Sequence, residues 1–518
     1  MKTLLSRGLA SIVIVAALAS AVAAFLIGVF DLQIELAGNG LRPLFSFGDP
    51  DDHFAGLDAN RAGHRSAAPA GGGPDRARDG AAVGAPAAAP DRPAADDAVP
   101  VPRAAPRTAG GTADAAEPGV LPRPPGAPAD HRDAAAWTDF RGPRRDGRYT
   151  GTAIPTDSPA AGLDPLWSQP IGGGYASFVV AGGLAFTIEQ RRDDEVVAAY
   201  DVATGVERWT HGWPAHFREA MGGPGPRATP TWHAGLVYAL GAAGRLVCLD
   251  AATGNEVWAR NILDDAGASN LTWAMSGAPL VVDDVVVVQP GGRDGWSVAA
   301  YDRLTGEVVW HGLDDVQSYT SPMLVTLAGV RQILVVTAAR AAGLRPDDGA
   351  LLWEYPWRVQ TVPNMAQPLV VGDARLFLSA SYGKGAALLE LTPDGDRFTA
   401  ATVWETHRMR NRFSSSVLVD GYIYGLDNSI LACLDAATGE LMWKGGRYGS
   451  GQLLEADDHL VVLTERGDLV LVRATPERHE EVARFHAIDG KTWNVPALAD
   501  SRLLVRNARQ MAAFDLSR

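Results

Sequence analysis

Downstream of residue 137 the chain is punctuated by short, β-branched, alternating apolar runs. They include Leu236-Val237-Tyr238-Ala239-Leu240, Val285-Val286-Val287-Val288, Ile333-Leu334-Val335-Val336, Tyr422-Ile423-Tyr424 and Val461-Val462-Leu463. A period of two predicts half-buried β-strands. Between these runs a second pattern recurs. Cys248-Leu249-Asp250-Ala251-Ala252-Thr253-Gly254 returns word for word as Cys433-Leu434-Asp435-Ala436-Ala437-Thr438-Gly439, and each copy is followed four residues later by tryptophan (Trp258, Trp443). Looser copies run from Asp201 through Gly205 to Trp209 and from Asp302 through Gly306 to Trp310, and a worn copy precedes Trp353. The mechanical reading is direct. An apolar strand ends at Asp, whose carboxylate takes turn amides; Gly supplies the positive φ of the reversal; a second strand carries Trp inward.

The tryptophans count the units. Trp167, Trp209, Trp258, Trp310, Trp353, Trp404 and Trp443 are spaced by 42, 49, 52, 43, 51 and 39 residues, and Phe485 falls 42 after Trp443 as a degenerate eighth rung. Such a period fits propeller blades of four antiparallel strands. Ala513-Phe514-Asp515-Leu516 is a repeat motif with no tryptophan after it, whereas Leu166-Trp167 has no motif before it. Joined, the two halves complete one blade. The predicted fold is therefore all-β, an eight-bladed β-propeller over residues 137–518 whose last strands pair with its first.

The chain before residue 137 has another composition. From Ala55 to Ala136 there is no Phe, Trp, Tyr, Ile, Met or Cys, and Ala, Pro, Gly, Asp and Arg dominate. Too little apolar surface is present to offset ordering entropy, so residues 31–136 read as a disordered tether. Residues 9–30 carry no charge and are long enough to cross a bilayer as a helix. With Lys2 and Arg7 in a short cytoplasmic segment 1–8, the remainder is expected outside the cytoplasm, on a single-pass anchor in a bacterial inner membrane with the propeller in the periplasm. Ala21-Val22-Ala23 also resembles a signal cleavage site, but the apolar run continues past it, which favours an uncleaved anchor.

Charge and cysteine content narrow the field. A formal net charge of −14 leaves no basic footprint for nucleic acid. Two cysteines, Cys248 and Cys433, stand four blades apart and read as buried small hydrophobes rather than a disulfide. No His/Cys zinc spacing, catalytic triad or phosphate-cradling glycine loop stands out, so no catalytic or metal residue is assigned.

Aligning the blades on the proline that opens each inner strand (Pro230, Pro279, Pro322, Pro368, Pro496, with Ser416 equivalent) exposes the channel rim. Arg227, Trp273, Ser276, Tyr319, Asn364, Arg412, Phe413, Trp493 and Asn494 fall there. Arginines, aromatics and amides at one mouth suit an anionic or planar ligand, or a peptide edge; equally, they suit side chains that plug the channel.

The Asp-x-x-Thr-Gly-x-x-x-Trp repeat resembles the tryptophan-docking repeat of the pyrroloquinoline-quinone (PQQ) dehydrogenase superfamily. Trp137-Thr138-Asp139-Phe140-Arg141-Gly142-Pro143 resembles the opening of a membrane-anchored, PQQ-binding-like branch of bacterial propellers. One branch of the superfamily holds quinoprotein alcohol and sugar dehydrogenases that bind PQQ and calcium in the channel. Another holds non-catalytic, BamB-like propellers of outer-membrane assembly. The dehydrogenases typically hold PQQ against a disulfide between adjacent cysteines, and no Cys-Cys occurs here. The resemblance therefore implies a monomeric, membrane-tethered binding or scaffold propeller, without cofactor, whose partner is an envelope protein or peptide or a small anionic ligand. A PQQ- and Ca-dependent dehydrogenase is the alternative.

Overall fold

The computed structural model describes residues 32–37, 42–47, 50–67, 136–151 and 162–517. Residues 1–66 with 128–518 form one compact unit and residues 67–127 another, of which only Ala67 is among the described residues. The expected membrane-spanning segment 9–30 and cytoplasmic segment 1–8 lie outside the described residues. Among the described residues no helix is long and apolar enough to cross a membrane.

Eight antiparallel sheets follow one another round a ring. Blade 1 comprises Val179–Ala181, Leu184–Arg191, Asp194–Asp201 and Glu207–Pro214; blade 2 comprises Thr231–His233, Leu236–Leu240, Arg245–Asp250 and Glu256–Asn261. Blades 3 to 7 begin at Leu280, Met323, Leu369, Val417 and Gln452. Blade 8 takes three strands from the end of the chain, Ala497–Ala499, Arg502–Arg506 and Gln510–Asp515, and its outermost strand, Trp167–Pro170, from the start. Ala513 pairs with Trp167 across that closure, as the two half-motifs predict. Closure leaves the ring no open seam for edge-to-edge pairing.

The repeat works as a docking device between blades. In blade 2 the Asp250 Oδ1 accepts from the Thr253 amide at 2.9 Å and the Thr253 hydroxyl at 2.8 Å, which fixes the turn. Asp435 makes the same bonds to Thr438 at 2.8 and 3.0 Å. The turn then receives the preceding blade's tryptophan: Trp209 Nε1 donates to Ala251 O at 2.9 Å, Trp258 to Arg303 O at 3.0 Å, and Trp443 to Thr475 O at 2.7 Å. The indole lies so close to the turn glycine that a Cβ on Gly254 would stand 2.5 Å from Trp209. Glycine is therefore needed twice over, for its φ of +74° and for the contact.

Trp353 departs from this scheme. Its indole bonds Gln332 of its own blade. Blade 5 offers no Asp-x-x-Thr-Gly turn, because its strands Gly385–Asp394 and Arg397–Thr406 run on into a long hairpin instead. Trp353 is instead buried among Leu389, Leu391 and the blade 4 core. Phe485, the degenerate rung, packs on Phe514 at 5.4 Å. Cys248 and Cys433 are free and wholly buried, and burial pushes both thiols up to about 12.

The sequence places a disordered tether over residues 31–136; the structure differs at residues 32–37, 42–47 and 50–67, and residues 68–135 lie outside the described residues. Leu32–Ala37 pairs antiparallel with Arg42–Phe47, and Pro50–Ala67 is an α-helix. The helix has few large apolar side chains, which is why composition hides it. It is held by polar contacts to blade 1 and to the closing strand, with only Leu57 buried in the apolar sense.

Candidate functional site

The segment after residue 136 organises the channel. Trp137 bridges to Val180 of blade 1, its amide donating to Val180 O at 2.9 Å. Arg148–Tyr149 adds as a parallel strand to the innermost strand of blade 7. Between these anchors two arginines adopt positive φ, 63° for Arg141 and 58° for Arg145, and both are buried. Arg145 donates to Pro322 O at 2.8 Å, to Ala278 O at 3.1 Å, to the Thr231 hydroxyl at 3.1 Å and to Pro279 O, and it pairs with Asp139 at 2.9 Å. Arg141 donates to Ser416 O at 2.8 Å and Leu453 O at 3.3 Å. Burial lowers both, Arg141 to about 10. These side chains satisfy the carbonyls where inner strands begin, so the segment is a plug inside the ring. The rim alignment did not reach it: both arginines bond main-chain carbonyls far away in sequence, which no local pattern signals.

Against the plug lies a cavity of about 180 Å³, to whose lining Phe140 of this segment contributes. Of the nine rim residues expected from sequence, Arg227, Trp273, Ser276, Tyr319, Arg412, Phe413 and Trp493 line it. Asn364 and Asn494 do not. Asn364 donates to Thr337 O at 2.8 Å and Trp357 O at 3.1 Å, and Asn494 donates to Ala176 O at 2.9 Å and Gly174 O at 3.2 Å. Both amides are buried braces of the loops. Tyr175, Met221, Met365 and Tyr382 complete the apolar wall, and sequence reasoning missed Tyr175 and Tyr382 because they fall outside the aligned position.

The wall is a set of touching rings. Tyr175 stacks on Trp493 at 5.4 Å, Phe413 tilts against Trp493 at 4.7 Å, and Trp273 against Tyr319 at 5.9 Å. The indole of Trp493 donates to Glu465 at 2.9 Å, and Gln452 ties the Phe413 and Trp493 carbonyls at 3.0 and 2.9 Å. The rings are thus held before any ligand arrives.

The two arginines of the rim differ in kind. Arg227 lies over Phe217 at 4.6 Å and Tyr175 at 5.5 Å, and it donates to the carbonyls of Gly223, at 3.0 Å, and Gly225. It is a buried brace for the small ribbon Arg218–Glu219/Gly223–Pro224, not an open anion hook, and burial lowers its pKa. Arg412 stands at the rim over Tyr382 at 5.4 Å and Phe413 at 5.2 Å, donating to the Tyr382 hydroxyl at 2.9 Å. Lys491 sits 4.6 Å above the Trp493 ring. Cationic character in the lining therefore comes chiefly from Arg412, with Lys491 behind Trp493 and 3.5 Å from Met221 O.

The fit of PQQ and calcium can be judged on these residues. The one carboxylate lining the cavity is Glu219, which accepts the Met221 amide at 2.7 Å and the Gly222 amide, so its oxygens are spent on its own turn. Among the described residues no group of three or more His, Cys, Asp or Glu side chains could hold a metal ion. A cavity of roughly 150 Å³ takes a single benzene ring. At about 180 Å³, this one accommodates one ring, and its mouth is open to solvent. Among the described residues the lining thus supplies no ligand set for calcium.

Comparison with known proteins agrees with the architecture. The family model described as outer membrane protein assembly factor BamB matches residues 192–445. The chain is 24% identical over 272 residues to the outer membrane protein assembly factor BamB of Yersinia pestis, covering 50% of this chain and 66% of that one. It is 36% identical over 124 residues to the quinohemoprotein alcohol dehydrogenase of Comamonas testosteroni, covering 22% of this chain and 16% of that one. The chain thus spans less than two thirds of the length of the curated relatives it matches. The crystal structure of the Comamonas testosteroni enzyme aligns with a TM-score of 0.52 over 74% of this chain and 81% of that one, at 16% identity, a likeness of fold alone. The docking repeat, the closed eight-bladed ring and the match over residues 192–445 all fit a PQQ-like, BamB-like β-propeller.

Proposed function

We propose that this protein is a non-catalytic binding and scaffold propeller that works outside the cytoplasm, anchored by residues 9–30, in the assembly of envelope or outer-membrane proteins. The observation that carries the reading is the ring-lined cavity with Arg412 in its lining, Lys491 against its Trp493, and no free carboxylate inside. Such a pocket takes one aromatic or large apolar side chain of an extended polypeptide, and it favours a carboxylate beside that side chain. A small aromatic acid offers the same chemistry and is the simplest probe. The BamB relatives are named for outer-membrane protein assembly, which supports a polypeptide partner. The second reading, a PQQ- and Ca-dependent oxidation of an alcohol or sugar, has in its favour the short 36% match to an alcohol dehydrogenase.

Two measurements separate the readings. Capture of unfolded outer-membrane polypeptides should fall at least about tenfold in Arg412→Ala/Trp273→Ala, a loss of ~1.4 kcal/mol or more, with melting unchanged. Dye-linked oxidation of alcohols and sugars, assayed after incubation with PQQ and Ca²⁺, should stay at background. Undiminished capture by the double variant would remove the cavity from the function. Turnover that needs PQQ would establish the dehydrogenase instead.

A further inference from the structure

The helix Pro50–Ala67 straddles the place where the ring closes. On the closing-strand side, Asn60 donates to the Gln169 side chain at 2.8 Å and His53 bonds Ile171 O at 2.9 Å. On the blade 1 side, Arg61 bonds Glu207 and the Tyr200 hydroxyl, the latter at 2.7 Å, and stands 3.6 Å from Glu189. Asp58 pairs with Arg192 at 2.9 Å, and that guanidinium covers the Phe54 ring at 5.6 Å. Leu57 and Arg61 are 1% and 6% exposed.

These contacts are specific in a way that surface packing is not. Glu189 has no exposed surface; burial would raise its pKa, but Arg191, Arg61 and Arg506 hold it down to about 2. A buried guanidinium placed among two carboxylates and a phenol has one register only, since a shift along the helix leaves a charge unpaired in the interior. An isolated 18-residue helix with so few apolar side chains is marginal in water, so its helicity depends on the ring.

We infer that this helix is a strut that fixes whatever precedes residue 50 at the seam between blades 8 and 1, so that this attachment does not depend on the covalent link between residues 67 and 137. The topology carries the step. The chain leaves the docked helix at residue 67 and is bound again at Trp137, which pairs with Val180 of the same blade 1. The chain therefore contacts the ring at residues 50–67 and again at Trp137.

The test uses the full chain in detergent with a site-specific protease sequence inserted after Ala88. After cutting, an N-terminal affinity tag should still recover the propeller, because the strut holds the pieces together without a covalent link. With Leu57→Asp and Arg61→Glu added, recovery should drop about tenfold or more, while the propeller keeps its own melting transition. Separation of the pieces in the unsubstituted chain would overturn the inference, and so would full recovery in the double variant. Hydrogen exchange on the uncut, unsubstituted chain is the independent check and needs no variant. Backbone amides of residues 50–66 should be protected as strongly as the outer strands of blade 1, whereas exchange at the rate of an open chain would end the proposal.

Discussion

Arg145 shows how much one side chain can carry when several blades share it. Its guanidinium bonds blade 2 through Thr231, blade 3 through Ala278 and Pro279, and blade 4 through Pro322, and it is paired with Asp139. Removing it strands several buried carbonyls and an acid, so Arg145→Ala should destabilise by about 3–5 kcal/mol, the range for breaking a buried pair. Arg145→Lys should recover only part of that, because an ammonium has three donors where the fork has five. Denaturant midpoints measure both, and parental behaviour of the alanine variant would contradict the plug. Glu195 gives a pH prediction at the same scale. Burial raises its carboxyl to about 7, although one oxygen accepts the Ala242 amide at 3.0 Å. A raised acid contributes stability that is complete below its unfolded value near 4.5 and is lost as pH rises through about 7. Glu195→Gln should therefore flatten the stability profile between those limits and exceed the parent above pH 7. An unchanged profile would mean the group stays charged throughout. Asp250 was legible in the sequence because its partners lie two and three residues on; Arg145 was not, because its partners in the blades lie 86 to 177 residues away.

Among the elements, the turn and the docked tryptophan form one unit shared by two blades. Trp258 packs in the core with Tyr238 and Tyr301 and caps the Gly306 turn of blade 3 through its indole N–H. Trp258→Ala should cost about 3–5 kcal/mol, as for emptying other large aromatic sites. Gly254→Ala should cost upwards of ~2 kcal/mol, since left-handed strain adds to the clash with Trp209. Asp250→Ala, which frees turn amides that water can reach, should cost only about 1 kcal/mol. That order, tryptophan above glycine above aspartate, is checked by three thermal or denaturant melts, and its reversal would mean the turn and not the indole organises the seam. Blade 5 marks where the pattern stops informing. Trp353 keeps the spacing of the ladder, yet its partner is Gln332 within its own blade, because the neighbouring turn it would cap has become a long hairpin. The helix Pro50–Ala67 escaped notice for the opposite reason. Its fit to the ring is written in Asn60 and Arg61 rather than in an apolar stripe, so periodicity had nothing to register.

For the whole molecule the question is what closes the ring. The pairing of Trp167–Pro170 with Gln510–Asp515 completes blade 8, but a four-residue strand is a short clasp for eight blades. The segment 136–151 adds a second closure from inside. Trp137 bonds blade 1, Thr138 accepts from Trp232 of blade 2, Arg145 reaches blades 2, 3 and 4, Arg141 reaches blades 6 and 7, and the Tyr149 hydroxyl accepts from Ser501 of blade 8. Sixteen or so residues thereby join blades that are not neighbours in the ring, which the strand clasp cannot do. A truncation series tells the two closures and the strut apart. A chain beginning at residue 136 keeps the plug and loses the helix, so it should melt as one cooperative unit, somewhat below a chain beginning at residue 50. A chain beginning at Gly162 keeps every strand of the eight sheets except Arg148–Tyr149, yet loses the axial arginines. Its melting should fall by more than about 10 °C or lose cooperativity, because several kcal/mol of shared buried bonding disappears at once. If the two shorter chains melt together, the strand clasp alone closes the ring and the plug is a passenger. Phe140, which lines the cavity, goes with the same segment, so the chain beginning at Gly162 should also lose ligand capture even where its blades remain folded.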